Sequence, residues 1–281
     1  MSKRKALFFD IDGTLLSEVT KTVPESAKKA LSLARSLGHL VFINTGRSYG
    51  EIGQVRHIAE VDGWLCGCGT YVESEGKTLL NRLMPVQQVQ RIARLAVDCD
   101  ADIFLEGPGV CYYCSQSGRM PFGQQLRKNF GNTIEWLEPE SVCGEINKFC
   151  ILTDDQSDRT RLFRNLDLDI AVIDRGEGFY ECVPEGFTKA TAIDVVLETY
   201  GLTLEDAYVF GDSTNDIAMF EHVPNAVLMG KHSPELEPYA SFQHIHNLPC
   251  QPHLIHRTKA SPLSFSKSYP QIGRASCRER V

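Results

Sequence analysis

The distribution of apolar positions predicts alternating strands and helices in the first third of the chain. Residues 5–9 and residues 40–44 form short, almost uninterrupted apolar runs, as in strands that are buried on both faces of a parallel sheet. Between them, residues 24–37 carry an apolar stripe at helical spacing, and Gly38 follows as a stop signal. A further helix is expected from Ser48. This order of elements predicts an α/β fold.

Residues 81–185 follow a different pattern, which is typical of an α+β module. Strands are predicted near 102–106, 109–114, 148–153, 169–174 and 179–183, and helices near 86–97, 120–130 and 157–166. A helix over 189–200 and strands at 207–210 and 225–229 then resume the first pattern. We therefore predict a Rossmann-like parallel-sheet core from residues 1–80 and 186–250, with residues 81–185 inserted as an α+β cap domain.

The stretch that begins near residue 244 has neither a helical nor a strand period. It is rich in Ser, Pro, His and Arg, and residues 272–281 correspond to one translated reading frame of a common sequencing adapter. We expect residues 251–281 to be a non-native tail produced by a frameshift, and we base no functional argument on them. A genomic reading frame that continues through Val281 would contradict this expectation.

Composition and charge restrict the class of protein. The 281 residues are 42% hydrophobic and 23% charged, as in ordinary globular proteins, and the formal net charge of −7 argues against nucleic-acid binding. No apolar run approaches the roughly 20 residues of a membrane span, and the N-terminus lacks the apolar stretch of a secretory signal. The ten cysteines lack zinc-site spacing and are expected to be buried, reduced thiols. We expect a cytoplasmic protein without a membrane or nucleic-acid partner, and its oligomeric state stays open.

Four polar motifs stand at the ends of predicted elements. Asp10 to Thr14 (D-I-D-G-T) follows the first strand, Thr45 to Arg47 follows the second, Lys189 opens the helix after the insertion, and Gly211 to Asp216 follows the third strand. Singly, each has an ordinary explanation as a turn, a cap or a surface lysine. Together they fall where open α/β sheets build their sites, so they predict one active site.

The four motifs closely resemble those of the haloacid-dehalogenase superfamily, and within it the Cof-like phosphatases with a large type-II cap. The family's D-x-D-G-T is matched by Asp10 to Thr14, its Thr or Ser by Thr45, its Lys by Lys189, and its G-D-x-x-N-D by Gly211 to Asp216. The resemblance runs from residue 5 to about 242 and is lost in the tail. It implies a magnesium-dependent phosphatase for a small phosphorylated metabolite, such as a sugar phosphate or a cofactor phosphate.

The resemblance also implies how the acidic residues act. Asp10 would attack phosphorus and form an aspartyl phosphate, while Asp12 would protonate the leaving alkoxide and then deprotonate the attacking water. Asp10, Asp212 and the backbone carbonyl of Asp12 would bind Mg²⁺. Asp216 would not bind the metal directly but would fix Lys189 or a water bound to the metal. Lys189 would orient Asp10.

The remaining matched residues would bind phosphate or substrate. The Thr45 hydroxyl, the Gly46 N–H and the Lys189 ammonium would contact phosphoryl oxygens. Asn215 would contact substrate or phosphate. Arg47 is either a contact to the phosphate or leaving group or a member of a surface ion pair.

Specificity residues within the insertion are not determined by these motifs. Glu181, Cys182 and Glu185 immediately precede the return to the core, where they would either face the site or serve as hinge residues. This choice stays open.

Other functions share parts of this pattern. A phosphomutase would use the same intermediate with a different acceptor, and a receiver-like phospho-acceptor would hold the aspartyl phosphate without turnover. The insertion and the Asn215-Asp216 pair have no place in a receiver domain. Intact catalytic motifs argue against an inactive binding protein, and a dehalogenase would need neither Mg²⁺ nor Asp12.

Overall fold

The computed structural model describes two β-sheets with helices packed against them. The described residues are 3–17, 20, 22–130, 134–244 and 255–257. The strands are β1 (Ala6–Phe9), β2 (Leu40–Asn44), β3 (Gly63–Cys66), β4 (Tyr71–Ser74), β5 (Lys77–Asn81), β6 (Asp102–Glu106), β7 (Cys111–Cys114), β8 (Ile134–Trp136), β9 (Lys148–Leu152), β10 (Ile170–Asp174), β11 (Phe179–Pro184), β12 (Ala207–Gly211), β13 (Ala226–Leu228), β14 (Phe242–His244) and β15 (Ile255–Arg257). The α-helices are α1 (Glu25–Ser36), α2 (Val86–Asp98), α3 (Pro121–Phe130), α4 (Arg159–Arg164), α5 (Lys189–Tyr200) and α6 (Ile217–His222).

The first sheet has nine strands in the order β15-β14-β13-β12-β1-β2-β3-β4-β5. The strands from β14 to β3 run parallel, and the edge strands β15, β4 and β5 are antiparallel to their neighbours. Phe8 and Phe42 pack in one apolar cluster with α5 and α6, whereas Val41 and Ile43 pack on the other face with α1. Because both faces are covered, the central strands are apolar throughout.

The second sheet has six strands in the order β10-β11-β9-β6-β7-β8 and is antiparallel except for the β7–β8 pair. Helices α2 and α4 cover one face of this sheet, and α3 packs on the other face. All six strands lie between β5 and α5 in the chain. The structure therefore confirms the predicted fold class, a parallel-sheet core with an α+β insertion. The limits of the two units, 1–80 with 186–250 and 81–185, stay a prediction.

Helix α5 shows how local sequence fixes an element that matters for the site. Thr188 caps the helix because its hydroxyl accepts hydrogen bonds from the backbone N–H groups of Ala190 and Thr191. Gly201 ends it in the left-handed conformation at φ 63°. The helix therefore begins at Lys189, as the sequence predicted.

Two expectations about local structure were wrong. The helix expected from Ser48 is a single 3₁₀ turn over Glu51–Gln54, and Gly50 and Gly53 lower the helix propensity there. The tail expected to lack regular structure contributes the edge strand β15, which pairs with β14. The other residues of the predicted non-native segment 251–281 lie outside the described part of the chain.

Two further expectations concern the membrane and the thiols. None of the described helices is long and apolar enough to cross a bilayer. The described cysteines are free thiols, and all of them except Cys143 are buried.

Candidate active site

Parallel strands bring three of the predicted residues to one edge of the first sheet. Asp10 follows β1, Thr45 follows β2 and Asp212 follows β12, and β1 pairs in parallel with both of its neighbours. The rings of Phe9 and Phe210 stack with a 4.2 Å centroid separation immediately before Asp10 and the Gly211-Asp212 turn. The ends of β1 and β12 are therefore held in register where the polar residues begin.

A buried lysine joins two of the carboxylates. Lys189 Nζ lies 2.6 Å from Asp10 Oδ1 and 2.7 Å from Asp216 Oδ1, and all three side chains are buried. The backbone carbonyl of Lys189 accepts a hydrogen bond from Asn44 Nδ2 at 2.9 Å, which ties the start of α5 to the end of β2. Burial opposes the charge of Lys189, but Asp10 and Asp216 outweigh it and raise the pKa of the ammonium.

Asp216 also organises the loop that carries Asp212. Its Oδ2 accepts hydrogen bonds from the backbone N–H groups of Asp212 and Ser213 at 3.0 and 3.1 Å. Since its Oδ1 accepts from Lys189, both oxygens of Asp216 have protein donors. Asp212 in turn accepts a 2.6 Å hydrogen bond from Thr14 Oγ1, which links the first motif to the last.

The arrangement of acidic groups fits a divalent cation. Asp10, Asp212 and Asp216 each place a carboxylate oxygen within 4.8 Å of the others. Three carboxylates and one ammonium leave a formal charge of −2. Burial raises the pKa of Asp10 to about 7, with Lys189 opposing the rise and Asp216 adding to it. A hard cation that prefers oxygen ligands, such as Mg²⁺, would relieve this repulsion.

Arg47 contacts the second carboxylate of the D-x-D motif. Its Nε and Nη2 donate to the two oxygens of Asp12 at 2.9 and 2.6 Å, a bidentate arrangement that fixes the plane of the carboxylate. The side chain of Asp12 is 54% exposed, so this pair lies at the mouth of the site. Arg47 thus forms an ion pair with Asp12, and a contact from Arg47 to the phosphate or leaving group stays a prediction.

The predicted phosphate-binding residues line the same cavity as the acids. Thr45 is buried, and its hydroxyl accepts a 3.2 Å hydrogen bond from the backbone N–H of Arg47. Asn215 accepts a 2.5 Å hydrogen bond from Ser213 Oγ. Together with Asp10, Asp12 and Gly46, they border a cavity of about 320 Å³. The sequence-predicted residues are therefore brought together, whereas their individual roles stay predictions.

The second sheet, α3 and the loop between β10 and β11 supply the opposite wall of this cavity. Its lining residues include aromatic and charged side chains, namely Phe104, Glu106, Phe122, Lys148, Arg175, Phe179 and Glu181. Of the three insertion residues considered in the sequence, only Glu181 lines the cavity. Cys182 packs on the α2 face of the sheet and Glu185 is exposed.

Lys148 was missed by the sequence analysis although it links the second sheet to the loop that follows β2. Its Nζ lies 2.7 Å from Glu181 Oε1 and 3.1 Å from Glu106 Oε1, and it donates to the Gly46 carbonyl at 3.0 Å. The sequence feature that could have indicated Lys148 is a charged residue at the start of an apolar strand, since Lys148 is the first residue of the run K-F-C-I-L. A buried charge of this kind requires partners, which the sequence did not identify.

Comparisons with known proteins agree with this geometry. The family model for haloacid dehalogenase-like hydrolases matches residues 7–247. The Bacillus subtilis (strain 168) protein named "Putative phosphatase YkrA" is 26% identical over 240 residues, which cover 85% of this chain and 91% of that protein. The HMP-PP phosphatase of Yersinia pseudotuberculosis serotype O:1b (strain IP 31758) is 25% identical over 234 residues, covering 82% and 85%. The solved structure of the subclass IIB sugar phosphatase BT4131 superimposes with a TM-score of 0.71 at 24% identity, covering 86% and 93%, which shows a shared fold.

Proposed function

Because the chain belongs to the haloacid dehalogenase-like hydrolase family, and within it to the Cof-like phosphatases, we propose that it hydrolyses a small phosphorylated metabolite with the help of Mg²⁺, through an aspartyl phosphate on Asp10. The observation that carries the proposal is the buried bridge of Lys189 between Asp10 and Asp216, beside Asp212. Relatives named for sugar phosphate and HMP-PP hydrolysis support a small phosphorylated substrate.

Asp10 is the proposed nucleophile. Lys189 holds Oδ1 at 2.6 Å and so fixes the direction of the carboxylate relative to the cavity. Attack on phosphorus forms the aspartyl phosphate and releases the leaving-group alkoxide, and water then hydrolyses the intermediate to inorganic phosphate. The split into two steps matters because phosphate monoesters hydrolyse extremely slowly without a catalyst.

The acidic cluster is the proposed metal site. Asp10, Asp212 and the backbone carbonyl of Asp12 would hold Mg²⁺, and Asp216 would support them by fixing Lys189 and the Asp212 loop. When bound, the cation would offset the charge of the phosphoryl oxygens.

Asp12 is the proposed proton carrier. It lies two residues beyond the nucleophile, borders the cavity and is aligned by the guanidinium of Arg47. In this role it gives a proton to the leaving oxygen and then takes one from the attacking water. The Thr45 hydroxyl, the Gly46 N–H, Lys189 and Asn215 would contact phosphoryl oxygens or the substrate.

The insertion is the proposed cap. Residues 81–185 would cover the site of the core formed by residues 1–80 and 186–250, since the cavity is lined from both sheets. A cap that closes over the substrate excludes water other than the reacting molecule.

Hydrolysis of p-nitrophenyl phosphate tests the proposal. Turnover is expected with Mg²⁺, and it should disappear with EDTA and fall at least about 10³-fold in Asp10→Asn. The matched control is Asp155→Asn, because Asp155 is exposed and lies outside the cavity lining. This control should retain wild-type turnover.

The alternatives predict different products. A phosphomutase would transfer the phosphoryl group without releasing inorganic phosphate, and a receiver-like phospho-acceptor would accumulate a stable aspartyl phosphate. Absence of turnover in folded wild-type protein, across a panel of phosphorylated metabolites, would reject the phosphatase proposal.

A further inference from the structure

One oxygen of a buried carboxylate in the cavity lacks a hydrogen-bond donor. Glu181 is 4% exposed, and its Oε1 accepts from Lys148 Nζ at 2.7 Å and from Cys68 Sγ at 3.1 Å. Its Oε2 is buried and has no hydrogen-bond partner within the described part of the chain. Arg175 Nε stands 3.7 Å from Oε2, beyond hydrogen-bond distance.

The oxygen without a hydrogen-bond donor belongs to an ionised group. Burial alone would raise the pKa of Glu181, but Lys148, and to a lesser extent Arg175 and the Cys68 thiol, lower it to about 2. Glu181 is therefore an acceptor of hydrogen bonds. A buried acceptor without a donor is costly, and native proteins rarely keep one without a reason.

The surroundings of Glu181 are aromatic as well as charged. The rings of Phe122 and Phe179 border the cavity with a 5.4 Å centroid separation, and Phe104 lies 6.2 Å from Phe122 beneath them. Phe104 and Glu181 both neighbour Cys150 across the strands of the second sheet. The wall opposite Asp10 thus combines aromatic rings with a buried carboxylate, one oxygen of which has no hydrogen-bond donor within the described residues.

We propose that Glu181 determines which leaving group the site accepts: its Oε2 accepts a hydrogen bond from a hydroxyl or N–H of the leaving group, whose ring face packs against Phe122 and Phe179. The substrate class is then a phosphate monoester with a ring that carries a hydrogen-bond donor. This inference rests on the proposed phosphatase function for the identity of the reacting end. Lys148 acts as a positioning residue, because it holds the other oxygen of Glu181.

Binding of phosphonates that cannot be hydrolysed tests the inference without turnover. We would measure the affinities of 3- and 4-aminobenzylphosphonate and of their methyl counterparts by isothermal titration calorimetry with Mg²⁺. A hydrogen bond to a charged acceptor should favour at least one amino ligand by about tenfold or more over its methyl counterpart. Wild-type protein that binds every pair equally, within about threefold, would overturn the inference.

The Glu181→Gln variant tests whether Oε2 of Glu181 is the atom that accepts the hydrogen bond from the ligand. Lys148 can only donate, so the amide oxygen should turn towards Lys148 and the amide nitrogen should replace Oε2. A donor then faces the ligand's donor, and the preference for the amino ligand should fall below about threefold. A preference that survives this change would also overturn the inference.

Controls separate this result from a loss of structure or of function. Glu185→Gln, an exposed residue on the same segment, should keep the wild-type preference. Melting temperatures of both variants check folding, and the wild-type comparison stands even if Glu181→Gln unfolds. Release of phosphate from p-nitrophenyl phosphate is followed in parallel. A preference without turnover, also across the panel of phosphorylated metabolites, would reject the phosphatase proposal alone, and turnover without a preference would reject this inference alone.

Discussion

Gly13 provides a test of how closely activity depends on the position of Asp212. Its φ of +90° favours glycine, and a Cβ built there would lie 2.3 Å from Asp212 Oδ2. Ordinary contact begins near 3.4 Å, so Gly13→Ala must displace the carboxylate by about 1 Å. The Asp212 side chain can rotate away, which relieves the clash but separates it from Asp10 and Asp216.

The expected effects on stability and on activity therefore differ. Alanine at positive φ should lower the free energy of unfolding by about 1–2 kcal/mol, the cost of a left-handed backbone. A displacement of about 1 Å in a catalytic group should lower kcat/KM about 100-fold. In p-nitrophenyl phosphate assays, part of this loss should be recovered at high Mg²⁺ if the displaced carboxylate weakens metal binding.

Gly38→Ala is the matched control. Gly38 has a φ of +87°, and a Cβ there would meet nothing within 4 Å. It should show the same loss of stability in urea or thermal unfolding, with unchanged turnover. If Gly13→Ala is as active as Gly38→Ala, within about threefold, the assignment of Asp212 to the metal site is wrong.

Two further substitutions test the charge networks. Lys189→Met should abolish turnover and lower the free energy of unfolding by about 3–5 kcal/mol in EDTA, because it leaves Asp10 and Asp216 buried without their counter-ion. Lys189 lowers the pKa of Asp10, which burial raises to about 7, so the loss of Lys189 should raise this pKa further. The deficit should therefore grow as the pH rises from 5.5 to 7.5, and unfolding curves that show equal deficits at both pH values would contradict the argument. For Asp206, hydrogen bonds from Lys3 and Lys5 hold the pKa well below its usual range, so its stabilisation is present above about pH 4 and is lost as the pH falls. Asp206→Asn should therefore lower the melting temperature at pH 7, by an amount that shrinks towards pH 3; a difference that does not depend on pH would point to packing instead.

Local signals were sufficient to predict the elements that hold the motifs. Thr188 and Gly201 mark the two ends of α5 in the sequence, and the predicted and observed bounds agree because both caps act through neighbouring backbone groups. Strands β3 to β5 were missed. They are four or five residues long, and β5 is largely exposed, so neither an apolar run nor a clear alternation marks them. β3 is placed by its pairing with β2, and β4 and β5 then pair in turn with β3 and β4.

The candidate site was predictable on one side only. Asp10, Thr45 and Asp212 each follow a parallel strand, so they lie at one edge of the sheet once these strands are taken to be neighbours. The positions of these residues could therefore be predicted from short motifs. The opposite wall depends on how the second sheet meets the first. Lys148 contacts the Gly46 carbonyl across 102 positions of sequence, and no local pattern specifies such a contact.

The contact between Lys148 and Gly46 bears on how such enzymes can be recombined. The ammonium belongs to the insertion, whereas the carbonyl belongs to the loop that follows β2. An insertion transplanted from a relative without a cation at this position would leave the Gly46 carbonyl without that donor, and the loop would be free to settle differently. The insertion and the core are therefore not independently exchangeable. A chimera would need an insertion that keeps the lysine at this position.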